Sequence, residues 1–452
     1  VWEVEFERRF GAEAGPLVAR ALHRASRILP RIVAYNYPYN LFPTTRGWIE
    51  KQRMGDLPEY AAALPSDTQQ FQSFAGAARD QIQGQSSAKI HPLDSSAWFA
   101  RLSAEVLSLV EAAEARAKGA RTPEFAATVV DLRILAYLAL YHARRCQAGY
   151  SYALWEQSQD LHMLDDALSH EESAIEAWAQ IVAAAGNAYA DDLPLGLARA
   201  GLTGHWRDER TALRQGLAAL QAERSTFRPA QPDTKPHIAH VPLRRARPGE
   251  DLLVRATVSA SAPVARVWVN YGREGSEVRT LDLERKESPQ VDPSEFCLCQ
   301  AVIPGDQVRE GLRYWIKALD AEGRQTAFPE KGADAPLAVT VTGDERPPTV
   351  IHEPIRSAPA RQPLTVTAQV YDPSGVAWVR LRYRSVTQFH DYRTLDMQPT
   401  DRADVYQATL PGGHVDPQWD LMYLIEAMDA CGNGTIYPDL EVETPYVVVR
   451  LE

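Results

Sequence analysis

The sequence predicts a multidomain chain, α then β: an antiparallel helical bundle over 1–226, a proline-rich linker over 227–236, and two antiparallel β-sandwiches in tandem over 237–343 and 344–452. Three observations carry this. Apolar residues recur at helical spacing in the first half, and they alternate every second residue in the second half. The second half also contains one module twice. His240-Val-Pro-Leu243 returns as His352-Glu-Pro-Ile355 at an offset of 112 residues, with Leu252, Val254, Ala256 and Val258 falling on Leu364, Val366, Ala368 and Val370. Tyr314-Trp-Ile-Lys-Ala-Leu-Asp320-Ala-Glu-Gly323 recurs 109 residues later as Tyr423-Leu-Ile-Glu-Ala-Met-Asp429-Ala-Cys-Gly432, each with a proline six residues on.

The helical half begins with an apolar-periodic run from Gly15 that stops at Pro30. A second helix opens at His91-Pro-Leu-Asp94, with Asp94 or Ser95 as N-cap, and runs through Val106, Leu109 and Val110 to about Gly119. Thr122-Pro123 is a cap followed by proline at the first helical position. The long helix behind it keeps Phe125, Val129, Leu132, Ala136, Leu140 and Tyr141 on one face and continues to Trp155. A fourth follows Asp160 with Leu164, Leu168, Ile175, Trp178 and Ile181, and a last spans about Trp206 to Arg224. Five helices with short connectors predict an up-and-down bundle. Ser225 to Pro236 holds three prolines in twelve residues, a stiff extended spacer. Beyond it, Leu252-Leu-Val-Arg-Ala-Thr-Val258 and Ala265-Arg-Val-Trp-Val-Asn-Tyr271 alternate as half-buried strands, and Gly343 to Pro348 joins the two copies.

A chain of 452 residues, 45% apolar and 24% charged, has the length of about three domains. Its net charge of −11 and lack of a basic run argue against nucleic acid as a partner. No uninterrupted apolar stretch reaches the roughly 18 residues of a membrane span. The opening on Val1 reads as a processed or truncated product. Of the four cysteines, Cys297 and Cys299 share one face of a strand, and all read as free or buried thiols rather than metal ligands.

The Tyr-x-Ile-x-Ala-x-Asp-x-x-Gly at 314–323 and 423–432 resembles the final hairpin of immunoglobulin-like and fibronectin type III-like modules appended to secreted bacterial carbohydrate-active enzymes. Arg9-Phe-Gly11 followed by Ala25-Ser-Arg27-Ile-Leu-Pro30 is similar to the helical region behind the (β/α)8 barrel of large bacterial proteins related to β-N-acetylhexosaminidases and α-glucuronidases. The resemblance implies immunoglobulin-like sandwiches, a barrel upstream of Val1 that carries the catalytic carboxylates, and a chain that is ancillary and not itself catalytic. It also implies a secreted, periplasmic or cell-surface location, with polysaccharide or glycan and an upstream catalytic domain as partners.

Candidate sites follow from residue type. Tyr35, Tyr37, Tyr39, Trp48, Arg53 and Asp56 fall in a stretch dense in aromatics and hydrogen-bonding groups, the composition of a sugar-facing surface. They fit equally a plug or a docking segment. His205 and Asp208 stand at the start of the last helix; they suit acid–base work or, more simply, favourable electrostatics at a helix N-terminus. His162, His170 and Glu171-Glu172 do not form His-Glu-x-x-His and read as solvated positions, while His142 reads as a bundle-interior histidine. In the last module Phe389, His390, Tyr392 and Trp419 read either as a glycan strip or as packing aromatics. Asp372-Pro-Ser-Gly375 and Asp429-Ala-Cys-Gly-Asn433 are oxygen-rich turns with room for calcium or, more often, self-capping hairpins; no other cofactor is implied. Two further readings stay open: a non-enzymatic surface adhesion protein, and a helical polysaccharide lyase with Tyr and His as base and acid.

Overall fold

Side-chain acceptors placed ahead of apolar stripes mark where the four longest helices start. The computed structural model describes residues 2–36, 56–117, 122–194, 203–229, 235–286 and 296–452. Its helices are α1 (Trp2–Phe10), α2 (Gly15–Ala25), α3 (Ile28–Tyr35), α4 (Leu57–Ala62), α5 (Phe74–Gln83), α6 (Pro92–Arg116), α7 (Pro123–Ser158), α8 (Leu161–Ala185) and α9 (Trp206–Thr226). Thr122 Oγ1 accepts the Phe125 amide at 3.1 Å, and Pro123 takes the first position of α7, where its missing N–H leaves nothing unpaired. Asp160 caps α8 in the same way through the His162 amide.

Two expectations about helix ends change. The N-cap of α6 is His91, not Asp94 or Ser95: His91 Nδ1 accepts the Leu93 amide while Asp94 Oδ2 accepts the His91 amide, each at 3.1 Å. The first apolar run does not stop at Pro30. The chain breaks at Ser26–Arg27 and restarts as α3, in which Pro30 lies within the first turn, where a proline is tolerated.

Helix α7 has 36 residues and is about 54 Å long at 1.5 Å per residue. Although no uninterrupted apolar run marks it, it is long and apolar enough to cross a membrane. Half of its most apolar stretch is buried in the protein, and a buried core helix can have the same length and composition. Its buried face carries Tyr141, His142, Arg145 and Cys146, each wholly enclosed. Arg145 donates to Tyr141 Oη at 2.5 Å, lies 3.3 Å from the buried Glu171 carboxylate of α8, and stacks 4.6 Å from the Tyr60 ring centroid. Glu171, read from sequence as solvated, is therefore half of an internal ion pair.

Each copy of the repeat builds two antiparallel sheets around one core. In the first, one sheet has the order His237–Ala239, Leu252–Ser259, Phe296–Ile303, Glu284–Arg285; the other runs Gln325–Phe328, Leu312–Asp320, Val264–Arg273, Arg279–Asp282. In the second, Thr349–Ile351, Leu364–Tyr371, Val405–Leu410 and Gln398–Pro399 face a sheet centred on Leu421–Asp429 and Val376–Ser385. Val254, Ala256 and Val258 meet Val269, Tyr271 and Tyr314 in one cluster, and Val366, Ala368 and Val370 meet Leu381, Tyr383 and Tyr423 in the other.

The repeated histidine and tyrosine form one device. His240 Nδ1 lies 2.6 Å from the Arg255 carbonyl and His352 Nδ1 lies 2.8 Å from that of Thr367. A carbonyl only accepts, so Nδ1 carries the proton, and Nε2 accepts from the tyrosine hydroxyl: Tyr314 at 2.8 Å, Tyr423 at 2.6 Å. Each hydroxyl in turn accepts a backbone N–H, from Leu243 at 2.7 Å and Ile355 at 3.0 Å. The identity that runs through the sequence repeat is thus a chain of three hydrogen bonds joining one sheet to the other.

Both β units dock on the helices. Val241, Phe296 and Leu298 of the first unit belong to the helical core cluster. Arg255 makes a bidentate pair with Asp166 at 2.9 and 2.6 Å, and Thr257 bonds Asp160 at 2.8 Å. His162, also read as solvated, is buried with Nε2 3.2 Å from the Cys299 carbonyl. The second unit meets α3 and α6 through Glu441, which receives Arg31 at 2.8 Å and Trp98 Nε1 at 3.1 Å and pairs with Arg27. The two β units touch through Arg245, whose Nη2 donates to the Asp344 carbonyl at 3.1 Å and to Asn433 Oδ1 at 2.9 Å.

One glycine sets the closeness of the second contact. A Cβ on Gly434 would fall 2.5 Å from Ala88 Cα and 2.9 Å from Met428 Cε, and the former is backbone that cannot swing aside. Gly434→Ala is expected to cost about 1–3 kcal/mol through forced separation of the second unit from the helices. Urea unfolding followed at the helices and at the β units separately would read this; coincident, unshifted transitions would refute it.

Candidate functional site

The sequence candidates in the helical half lie in structural roles. Tyr35 is the last residue of α3 and not the start of a loop, and it is 4% exposed. Its hydroxyl bonds that of Tyr60 and lies 3.1 Å from His142 Nδ1. A residue on the Ile28–Ile32–Tyr35 face turns inward with its neighbours, so Tyr35 cannot present a ring to glycan. Tyr60 and His142 are each 0% exposed. The Tyr–His grouping that a lyase would need is therefore present but closed to a polymer. Burial also holds His142 down at about 3, where it is neutral and not a general acid. Asp56 is the N-cap residue of α4 and its carboxylate rests against Gly216 of α9. Tyr37, Tyr39, Trp48 and Arg53 lie outside the described residues. His205 and Asp208 form a capping box: Asp208 Oδ2 accepts the His205 amide at 2.8 Å and His205 Nδ1 accepts that of Arg207 at 3.3 Å. Those bonds take up His205 Nδ1 and one oxygen of Asp208 in holding the helix start.

The last β unit behaves differently. Phe389, His390 and Tyr392 converge on one cavity of about 360 Å³, and Trp419 is not among its walls. Tyr383, Arg384, Arg393, His414 and Asp416 are among its other walls, and the sequence reading placed none of these five in a site. The Phe389 ring is 82% exposed, an apolar surface held in water at the rim. Tyr392 is half-buried, its hydroxyl 3.3 Å from Met422 Sδ and its ring centroid 4.7 Å from the Arg384 guanidinium. Tyr383 and His414 stack, with the hydroxyl 2.7 Å from Nδ1. Burial, then the charge of Arg393, hold His414 below the usual histidine range, and burial raises Tyr383. The tyrosine consequently donates, Nδ1 accepts, and Nε2–H remains the ring's other donor.

This cavity exists because the two copies differ in one connection. Arg279-Thr-Leu-Asp282 matches Arg393-Thr-Leu-Asp396 at an offset of 114, so the second copy carries two more residues after Tyr383 than the first carries after Tyr271. Those extra residues bring Phe389 to Tyr392. Across from them Pro411-Gly-Gly-His414-Val repeats Pro304-Gly-Asp-Gln307-Val, with histidine in place of glutamine. The change of offset was the available signal for Tyr383, Arg384 and Arg393.

The acidic turns are occupied by their own chain. Asp372 Oδ1 accepts the Ser374 amide at 2.7 Å and its hydroxyl at 2.6 Å, and Asp429 accepts the Asn433 amide at 2.7 Å and its side-chain amide at 2.6 Å. Asp344, Asp429 and Cys431 place their ligand atoms within 4.8 Å of one another. With both oxygens of Asp429 already bonded and the Cys431 thiol 3.3 Å from Thr342 Oγ1, the group serves the joint between the β units. The Cys297 and Cys299 sulfurs are 2.9 Å apart inside the first unit, and burial pushes Cys146 up to about 12, so it stays a thiol.

The chain matches no protein-family model, and no curated protein matches it significantly.

Proposed function

We propose that the chain is a carbohydrate-handling assembly, a helical bundle carrying two immunoglobulin-like β-sandwiches, and that the second sandwich binds glycan in the cavity lined by Phe389, Tyr392 and the Tyr383–His414 pair. In this reading it is the ancillary, non-catalytic C-terminal portion of a secreted bacterial polysaccharide-degrading glycoside hydrolase. The bundle supports an upstream catalytic domain and the last module holds the polymer. One observation carries the reading: an exposed Phe389 ring beside Tyr392, His390, His414, two arginines and Asp416, built on a connection that is two residues longer in the second copy. Sugars stack their C–H faces on aromatic rings while hydroxyls bridge carboxylates, guanidinium groups and imidazoles, and this cavity offers both kinds of contact. The docking of both sandwiches on the helices favours a rigid scaffold for a neighbouring enzyme over a flexible adhesive stalk.

The test is binding of the full chain to an array of plant, fungal and bacterial glycans, repeated with Phe389→Ala. The substitution is expected to weaken any glycan bound here by about tenfold, since loss of a stacking ring removes more than 1 kcal/mol. Because Phe389 packs on nothing, its melting temperature should not move. Glycan binding indifferent to Phe389, Tyr392 and His414 would remove this cavity from the proposal.

A further inference from the structure

We propose that the cleft where the helical region and both β units meet is a second binding site, one that takes a neutral oligosaccharide. The cleft encloses about 1040 Å³ and draws its walls from all three parts of the chain. That is the upper end of the size range of ligand pockets, which favour junctions between domains. It is also preformed, because the bonds that hold the three parts together run along its margins. Gln81 Nε2 donates to the Pro242 carbonyl at 2.7 Å, Arg244 donates to the Gln81 and Ile82 carbonyls at 3.0 and 2.6 Å, and Arg245 ties the first β unit to the second.

The lining points to hydroxyl groups and not to phosphate or sulfate. Arg244 and Arg245 spend their guanidinium groups on carbonyls and on Asn433, so among the described residues Lys89 is the lining cation with no hydrogen bond or ion pair recorded to its ammonium. A polyanion needs several such charges. On the acidic side Asp94 is committed to the His91 amide and Glu345 pairs with Arg247. Asp80 keeps one oxygen beyond its 2.6 Å bond from Gln72, and burial raises its carboxyl from the ordinary range. The rest of the wall mixes apolar residues such as Leu93 and Leu243 with uncharged polar ones, among them Gln85, Ser86 and Tyr150, and one indole.

That indole is Trp378. The Arg380 guanidinium lies 4.1 Å from its ring centroid, which fixes the ring as part of the cleft wall. At the repeat offset of 112 the first copy has Arg266 and Trp268 where the second has Trp378 and Arg380, so the cation–aromatic pair is kept with its order reversed. The reversal places an aromatic plate at the junction in the second copy alone.

The experiment titrates the full chain with neutral gluco-, xylo-, manno- and N-acetylglucosamine-configured hexasaccharides, and with heparin as the polyanion. Two variants accompany it: Gln85→Trp, which fills the cleft from an exposed position, and Phe389→Ala in the other cavity. A neutral hexasaccharide should bind, lose about tenfold in affinity in Gln85→Trp, and bind unchanged in Phe389→Ala. Binding weakened only by Phe389→Ala would overturn the cleft site and leave the second-sandwich site standing. Heparin binding in preference to every neutral sugar, lost on Lys89→Gln, would overturn the ligand class. Failure of all four hexasaccharides to bind would overturn the inference outright.

Discussion

Arg145→Met is expected to lower the unfolding free energy by about 3–5 kcal/mol, the cost of leaving a buried carboxyl without its cation. Arg145 is fully enclosed in α7, and Glu171 beside it is 2% exposed with one oxygen lacking any hydrogen-bond partner. Burial already drives the Glu171 carboxyl upward against the pull of Arg145. Removing the arginine forces the acid to take up a proton inside the core. The double change Arg145→Met with Glu171→Leu should recover most of the loss, because two well-packed apolar chains replace a pair whose attraction scarcely exceeds its desolvation cost. Urea denaturation of the four chains of this cycle gives the coupling directly. A double variant as unstable as Arg145→Met alone would mean that the pair does not act as a unit.

Acid is expected to unfold the protein well above the carboxylate range. Burial holds His142 at about 3 and His162 and His240 at about 4, against about 6.5 in the unfolded chain. Their folded values are depressed, so the stability they confer is complete above pH 6.5. It is lost as the pH falls toward 4, where the unfolded chain binds protons that the folded chain refuses. Asp160 acts with the opposite sign. Burial raises it to about 6 despite the bonds from Thr257 and His162, and this favours the folded state as the pH falls from 6 toward 3.8. Glu171 is raised as well and opposes the histidines in the same sense. Three histidines against two carboxyls leave a net loss on the order of 5 kcal/mol between pH 7.5 and 4.5. Stability measured by urea at those two pH values reads it. A midpoint that does not fall would show that these imidazoles are not held neutral.

The two effects meet at the same places, the α7–α8 core and the contact of α8 with the first β unit. His162 and Asp160 both belong to that contact, and Thr257 bonds Asp160 there.

Local pattern was enough to read the order of elements. The Thr122-Pro123 start, the Asp160 cap, the long α7 face and the alternation at 252–258 and 265–271 are all present in the structure, because capping and side-chain periodicity act within a few residues. The repeat likewise announced itself through His240 and Tyr314, His352 and Tyr423, although the hydrogen-bond chain that gives those residues their purpose spans more than sixty positions. Readings that depended on which way a polar residue faces fared worse. His162 and Glu171, read as solvated, turn inward, whereas Tyr35 and the His205–Asp208 pair take the plug and helix-terminus roles that were their plainer alternatives. A helix presents every azimuth, and the choice among them is made by what packs against it from elsewhere in the chain.

The candidate sites divide along the same line. Phe389, His390 and Tyr392 were visible as an aromatic insertion in one copy of the repeat, while Trp419, placed with them by composition, bonds the Asp416 carbonyl through its amide but does not line the cavity. Tyr383, Arg384 and Arg393 flank that insertion and follow from the same change of offset, whereas His414 comes from a separate connection more than twenty residues beyond Tyr392 and was joined to them only by the fold. The three-way cleft left no trace in the sequence at all. By itself the sequence determined an α region followed by a duplicated β module, through short-range periodicity and identity. Only the tertiary structure decided that the three parts are docked into one body with cavities at their seams, because that outcome rests on ion pairs and close approaches between residues hundreds of positions apart, such as Arg31 with Glu441 and Ala88 with Gly434.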